Sequence, residues 1–552
     1  MSSAPFESQI VLDREIARLE QDLVILKRRR NALSPISRIP PELLSNIFFL
    51  SLRFLQADGV TPEELHPDET KQAICAVCHQ WREAVFTEPK LWMEIHLRNS
   101  TTTRYLDLVR RNLTENQEVY VEAHGIEKNS GAVRYILEVE KIRLKRVTLG
   151  GSSPTIRDIL QASRSQCEEV EALELKSHYT DGSAENGVLT NMARVFPHIR
   201  KLRLEMWRLP SASHVVHLAN ITDLVLKNLS PFTADDMRNF FNVLKRAKHL
   251  TSFTLVSMEC GSNPNLSGDV VWSTEVELHS LKRFEVKVEH TGLLLALLGP
   301  LRFHGEMERV VVATYDDRRS ELNGRVMSAM TMAFSHLSAP ETMKMAMETY
   351  TDSNEEMVEL LSCQAGWVDR RDHHFQMSMP VLLDGHLDAS APAPYPLFFT
   401  LPFIDPNSWF LSNVQSIEVS TCPTWPVWEC IARISTLRQL TVTAWDRDDC
   451  FLQILRDEGP GSVRDRALEV STPFPELCGI KINTDTLSTS GLDVDYARAL
   501  GQALQARAAG AGEVEVGKIR SLEFRPCMSQ LDEETRDLLS SVALEVVWRT
   551  RE

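Results

Sequence analysis

The chain lacks most of the signals that tie a sequence to a membrane, a secretory route or a reaction. Its start, MSSAPFESQIVLDRE, has no basic segment followed by an apolar core, so no secretory leader is expected. Its most hydrophobic run, Leu293 to Leu301, contains Gly299 and Pro300 and is too short to span a bilayer. Ten cysteines are scattered over 552 residues without a framework, which fits a reducing compartment, cytoplasmic or nuclear. Positive charge is in the minority: 60 Lys and Arg against 76 Asp and Glu leave a formal net charge of −16. That balance argues against nucleic acid or an anionic membrane as the principal partner. Neither G-x-S-x-G nor H-E-x-x-H occurs, and no catalytic constellation assembles. The chain is therefore not expected to be an enzyme, and no cofactor is expected.

Several patches imitate chemistry. Cys75-Ala-Val-Cys78-His79 has the C-x-x-C-H spacing of covalent haem attachment, but a chain without an export signal is the wrong context. Zinc at the same cysteines needs two further ligands, and no second pair sits nearby; His66 is the one candidate third ligand. Gly512-Glu-Val-Glu-Val-Gly517-Lys518-Ile519 nearly matches a phosphate-binding loop. Ile519 stands where the magnesium-binding hydroxyl belongs, and Glu513 and Glu515 would repel phosphate. Asn112, Asn228 and Asn265 head glycosylation sequons with no secretory route to use them. His373-His374 reads as a polar loop.

What is present begins with a helix. Over residues 9–33, Leu12, Ile16, Leu19, Leu23, Leu26 and Leu33 recur at heptad spacing, with Arg30 in the one vacant seam position. The spacing predicts a short coiled coil, able to self-associate weakly or to fold back onto its neighbour, since three heptads are marginal alone. The segment 34–97 follows. Ile39, Pro40 and Pro41 open a helix whose apolar residues are Leu43, Leu44, Ile47 and Phe48, and Pro41 suits the first helical turn. A second helix is expected to carry Ile74, Val77, Cys78 and Trp81, and a third short element ends at Leu91-Trp92. Three small helices cannot bury this much apolar surface among themselves, so a partner is expected to complete their core.

This segment resembles the F-box. The family's Leu-Pro-x-Glu-Leu/Ile-Leu-x-x-Ile-Phe block corresponds to Ile39-Pro40-Pro41-Glu42-Leu43-Leu44 with Ile47-Phe48. Its Val-Cys-x-x-Trp core corresponds to Val77-Cys78-His79-Gln80-Trp81, and its Leu-Trp to Leu91-Trp92. The link from Ser51 to Thr70 is longer and more acidic than usual. The resemblance implies contact with a Skp-family adaptor, and through it a cullin, by Ile39, Pro40, Pro41, Leu43, Leu44, Ile47, Phe48, Val77, Trp81, Leu91 and Trp92.

After Leu97 an apolar-x-apolar triplet recurs. It ends at Val121, Leu149, Leu175, Leu204, Leu226, Leu255, Val286, Val312, Met345, Met377, Val419, Val442, Ile482 and Phe524. Five residues upstream of most of these stands another apolar residue: Leu144, Val170, Ile199, Ile221, Leu250, Leu281, Met307, Val414, Leu437, Leu477 and Ile519. Two units share more, FPHIRKLRL from Phe196 and FPELCGIKI from Phe474. Between triplets lie helical stretches at 154–164, 188–195, 427–434 and 495–508, and one opened by Thr233 with Met237, Phe240, Phe241 and Leu244 on one face. A unit of helix, loop and short strand cannot cover its own apolar face. Stacked units give a parallel sheet inside, helices outside and one continuous core.

The pattern resembles leucine-rich repeats, irregularly. The asparagine expected three residues after the strand is replaced by His178, Trp207, Leu229, Met258, Glu289 and Tyr315, and only Cys422 and Cys527 fit the alternative. Pro340 and Asp372 stand at the upstream position of the Met345 and Met377 units, which marks an insertion or break at about 320–406, including the Pro-rich stretch from Ala391. The expected organisation is α/β: an N-terminal helix (1–33), a small all-α F-box-like domain (34–97) and an irregular leucine-rich-repeat solenoid (98–552). The middle residue of each triplet points away from the core. Those residues, Glu174, Arg203, Val225, Thr254, Glu285, Val311, Gln376, Glu418, Thr441, Lys481 and Glu523, are the expected face for a protein target. The two resemblances imply a non-catalytic substrate receptor of a Skp–cullin–F-box ubiquitin ligase. The alternative is a non-degradative scaffold bound to the same adaptor.

Overall fold

The computed structural model describes residues 4–57, 67–97, 103–112, 117–138, 143–163, 166–177, 186–207, 219–228, 234–257, 275–288, 291–314, 323–337, 341–351, 357–367, 370–381, 411–420, 428, 431–443, 449–456, 474–483, 494–510, 519–525 and 531–548. They form a mixed α/β chain in two compact units, Met1–Trp207 and Arg208–Glu552. Among the described residues, no helix is long and apolar enough to cross a membrane.

The first unit starts with helix α1 (Ala4–Ala32), whose Leu12, Ile16, Leu19, Leu23 and Leu26 are all at least half exposed. A 3-10 turn at Pro35–Arg38 leads into α2 (Pro41–Ala57), and α3 (Pro67–Val77) and α4 (His79–Thr87) follow. The sequence reads Ile74 to Trp81 as one helix; the structure breaks it at Cys78, which is extended (φ −160°) and caps α4. A second 3-10 turn, Pro89–Trp92, delivers the chain to β1 (Glu94–Leu97).

From there strand and helix alternate: α5 (Thr103–Asn112), β2 (Glu118–His124), α6 (Ser130–Glu138), β3 (Arg143–Gly151), α7 (Ser153–Ala162), β4 (Ala172–Ser177), α8 (Asn186–Val195) and β5 (Lys201–Glu205). Strands β1 to β5 pair in sequence order, all parallel, which requires the crossover helices.

The second unit repeats the theme with more variation. In order it contains β6 (Asp223–Lys227), α9 (Ala234–Arg246), β7 (Ser252–Ser257), β8 (Val276–Leu278), β9 (Arg283–Val288), α10 (Thr291–Leu298), β10 (Leu301–Phe303), β11 (Arg309–Thr314), α11 (Asn323–Phe334), β12 (Thr342–Thr351), β13 (Met357–Trp367) and β14 (Arg370–Val381). After these come β15 (Ser416–Val419), β16 (Gln439–Thr443), α12 (Asp449–Arg456), β17 (Gly479–Asn483), α13 (Val494–Gly510), β18 (Ile519–Arg525), α14 (Glu533–Val542) and β19 (Ala543–Trp548). Strands β6, β7, β9 and β11 run parallel, as do β15 to β19. Between these runs the strands from 342 to 381 enter in reversed order: β14 pairs with β11, β13 lies antiparallel to both neighbours, and β12 pairs with β15. This meander occupies the region where the upstream residue is missing from the sequence pattern. Strands β8 and β10 form a separate parallel pair.

The periodicity has a physical origin in the core. All eleven upstream apolar residues, from Leu144 to Ile519, are buried, none above 6% exposure. The outer members of the described triplets join them, including Leu173 and Leu175, Leu202 and Leu204, Leu440 and Val442, and Leu522 and Phe524. Each such side chain contributes about 1.5–3 kcal/mol on burial. The upstream residue also closes a turn at Val170, Leu250, Val414, Leu437 and Leu477, where its N–H donates to the carbonyl three residues back. The next two N–H groups then converge on one carbonyl of the preceding turn. Arg200 and Lys201 share Glu171 O, and in the second unit Thr251 and Ser252 share Thr222 O, a pattern repeated as far as Arg520 and Ser521 on Cys478 O.

Side chains reinforce the stacking. Ser153 Oγ meets Ser177 Oγ at 2.9 Å, and Thr291 Oγ1 meets Thr314 Oγ1 at 3.3 Å, each pair buried and tying a helix start to the end of a neighbouring strand. Of the residues at the asparagine position, Trp207 is described, and it is buried. Face-defining Met237, Phe240, Phe241 and Leu244 of α9 are likewise buried, and Phe240, Phe253, Phe284, Phe303 and Phe334 make a run of ring contacts at 4.6–5.7 Å.

Candidate functional site

Two surfaces carry the expected functional residues. The first is the helical segment before β1. Helix α2 is apolar on two sides. Leu44, Phe48 and Leu52 turn inward and are at most 8% exposed, while Leu43, Ile47 and Leu50, one turn apart, are 55%, 47% and 52% exposed. Val77, at the end of α3, is 57% exposed, and Ile36 in the first 3-10 turn is 41% exposed. Ile39 is half-buried, and Pro40 and Pro41 are exposed at the helix start. Trp81 is half-buried, its ring 5.0 Å from that of Phe48.

Leu44, Phe48, Leu91 and Trp92, expected as partner contacts, are instead core residues at 1–3% exposure. The reason is geometric: the 3-10 turn Pro89–Trp92 folds under α4, so Trp92 stacks on Phe86 at 5.9 Å and donates its indole N–H to Val85 O at 2.8 Å. A mostly buried lysine supports the same corner, with Lys71 Nζ donating to Glu94 O at 2.9 Å and lying 6.0 Å from the Trp92 ring. Burial pushes the Cys75 thiol up, the Arg82 charge acting the other way, which disfavours the thiolate that a metal or haem chemistry would use. His66 and the segment Gly512–Lys518 lie outside the described residues, and Ile519 opens a strand.

The second surface is the sheet face that the helices leave open. In the first unit the midpoints Thr148, Glu174 and Arg203 fall in one lateral row, which His96 and Glu122 continue as register neighbours. Arg203 Nε lies 2.9 Å from Glu174 Oε1, and Lys176 Nζ lies 3.4 Å from the same oxygen. The second unit has its own row: Val225, Thr254, Glu285, Val311 and Gln376, then Gln364, Lys344, Glu418, Thr441, Lys481 and Glu523. Val311, at 2%, is buried, as is Thr148 of the first row at 5%, so neither offers surface to a target. Lys344 pairs with Glu418 at 2.8 Å, Glu285 with Lys287 at 2.8 Å, and Glu523 with Arg525. The face is thus polar, of mixed sign and largely self-neutralised.

Sequence reasoning missed His96, Glu122, Thr148, Lys344 and Gln364. Thr148 and Lys344 are midpoints of triplets already recognised. Glu122 lies in a strand with two overlapping apolar-x-apolar triplets, Val119-Tyr120-Val121 and Val121-Glu122-Ala123; the sequence pattern picks the first, whereas the register sets Glu122 of the second beside Thr148. Hydrogen bonds with the His124 ring (2.6 Å) and the His96 ring (3.2 Å) hold the Glu122 carboxyl well below the usual carboxylate range. A carboxyl with a lowered folded pKa adds stability above its unfolded pKa, about 4, and that contribution disappears as pH falls through the folded value. Glu122 is 41% exposed, so solvent damps the effect. The melting-temperature gap between wild type and Glu122→Gln is expected to narrow below about pH 4. A gap that stays constant as the solution is acidified would contradict the assignment.

No protein-family model and no curated protein matches this chain.

Proposed function

We propose that this chain is the substrate-recognition subunit of a Skp–cullin–F-box ubiquitin ligase. Residues 34–97 act as an F-box-like module that holds a Skp-family adaptor, and the adaptor brings a cullin. The array from residue 98 onward acts as an irregular leucine-rich-repeat receptor for a protein target. The observation that supports this most is the apolar row Leu43, Ile47 and Leu50 with Val77, left open on a subdomain whose opposite face is fully packed. An exposed apolar row on a well-packed support is the form of a docking surface for another protein.

The chain needs no catalytic residue for this role. Holding the target beside the ubiquitin-charged enzyme raises the effective concentration of its lysines, a purely positional contribution. The open sheet faces, polar and of both signs, suit a folded or extended protein target better than a polyanion. Helix α1 supports weak self-association through residues 9–33, because its heptad residues are exposed along the whole seam.

The test is purification of the full chain with a Skp-family adaptor and a cullin. The chain is expected to retain the adaptor, and the cullin only when the adaptor is present. Adaptor binding with the cullin excluded would favour the non-degradative scaffold, and failure to bind the adaptor would remove the reading altogether.

A further inference from the structure

We propose that Glu277, His279 and His304 form a binding site for a divalent transition-metal ion of the zinc class, built on the small β8–β10 pair of the second unit. In that parallel pair Val276, Glu277 and Leu278 lie opposite Leu301, Arg302 and Phe303. The register carried one residue further sets His279 beside His304, and their ring centroids are 4.8 Å apart. Glu277, two residues before His279, brings its carboxylate Oε2 to 3.1 Å from His279 Nε2. One donor atom from each of the three residues lies within 4.8 Å of the others. Two imidazoles and a carboxylate converging from two adjacent strand ends are a donor set that zinc accepts, with a further position left for water.

The support beneath the cluster is rigid. Phe303, next to His304, stacks on Phe334 at 4.6 Å with the rings 10° from parallel. His336, two residues beyond Phe334, stacks in turn on His304 at 4.4 Å and fixes the plane of that ring. Gly305 allows the two strand ends to close, since a Cβ there would sit 2.7 Å from the His279 carbonyl oxygen. The cation in the neighbouring register position does not compete for Glu277, because Arg302 pairs with Glu275 at 2.8 Å. A second histidine–carboxylate group, His96, Glu122 and His124, is arranged differently. There each carboxylate oxygen is taken by a different ring, so the carboxylate bridges two imidazoles and the three do not face a common centre.

The full-length protein, stripped with a chelator, should bind one equivalent of Co²⁺ with a visible d–d band, and Zn²⁺ should displace it while Mg²⁺ and Ca²⁺ do not. His279→Ala and His304→Ala should each weaken the site at least about tenfold, since even loss of a residue supporting a ligand typically costs that much. Glu277→Gln, which keeps the side-chain volume, should weaken it as well, and His124→Ala should leave it unchanged. His279 and Glu277 are exposed, so these variants should keep the wild-type circular dichroism spectrum. Absence of a Co²⁺ band, unchanged affinity in the His279 and His304 variants, or loss of the band in His124→Ala would each overturn the proposal.

Discussion

Replacing Trp92 by alanine should unfold the helical segment before β1, at a cost of about 3–5 kcal/mol for the cavity alone. The residue is 2% exposed and among the largest side chains that are fully buried. Its indole does more than fill space. Val85 lies in the last turn of α4, where its carbonyl would normally accept from the residue four positions on; that residue is Pro89, which has no N–H. Trp92 Nε1 supplies the missing donor at 2.8 Å. Alanine would therefore leave a buried helix-end carbonyl without its partner, a further loss of about 1–3 kcal/mol. A domain typically holds only about 5–15 kcal/mol in total, so the segment should become sensitive to protease at temperatures where wild type resists. Trp92→Phe keeps most of the packing and loses the hydrogen bond, and should fall between the two. Mass-resolved hydrogen exchange over residues 67–97 reads the effect directly; protection unchanged in Trp92→Ala would show that this corner does not depend on the indole.

The roles of Trp92 and its neighbours mark where sequence reasoning stopped. Period-five and alternating patterns located the strands that carry the triplet, because burial of both outer triplet residues is what the parallel sheet demands of its sequence, but not β1, β8, β10, β13 and β19. The register rows followed from the same rule, which is why Glu174 and Arg203, or Thr441 and Lys481, are lateral neighbours. Four things were not legible. Helix α2 is apolar on two sides, and spacing alone cannot say which side faces in; Leu43 and Leu44 differ only by a 100° step around the helix. The break at Cys78 has no glycine or proline to announce it. It is held by tertiary contacts, with Arg82 Nε donating to Cys75 O at 3.0 Å across the break and Gln80 Nε2 donating to Ser37 O at 3.2 Å. Pro340 and Asp372 mark a break in the pattern, but not the reversed order of the strands at 342–381, because order in a sheet is set by pairing, not by composition. The His279–His304 pair was equally silent, since its two halves meet only through the β8–β10 register.

The double substitution Leu43→Asp/Ile47→Asp should weaken the proposed adaptor contact at least about a hundredfold while leaving the fold intact, the reverse of what Trp92→Ala does. Both side chains are about half exposed on a helix whose opposite face supplies the core, so polar replacements there should change stability by no more than about 0.5 kcal/mol each. Binding is another matter. An apolar anchor at the centre of a protein interface typically contributes at least about 2 kcal/mol, roughly thirtyfold in affinity. Two carboxylates placed in such a contact would in addition be desolvated without partners. The residues are one helical turn apart and their effects will not simply add, so at least about a hundredfold loss is the expected result. Leu44→Asp, one residue away and 1% exposed in wild type, should lose the fold and the binding together, because it would bury an unpaired charge. Calorimetric titration of the adaptor into each folded variant, with melting curves alongside, separates these outcomes. Wild-type affinity in the folded double variant would mean that the open row on α2 serves some other partner, and that the F-box reading of residues 34–97 describes their pattern and not their use.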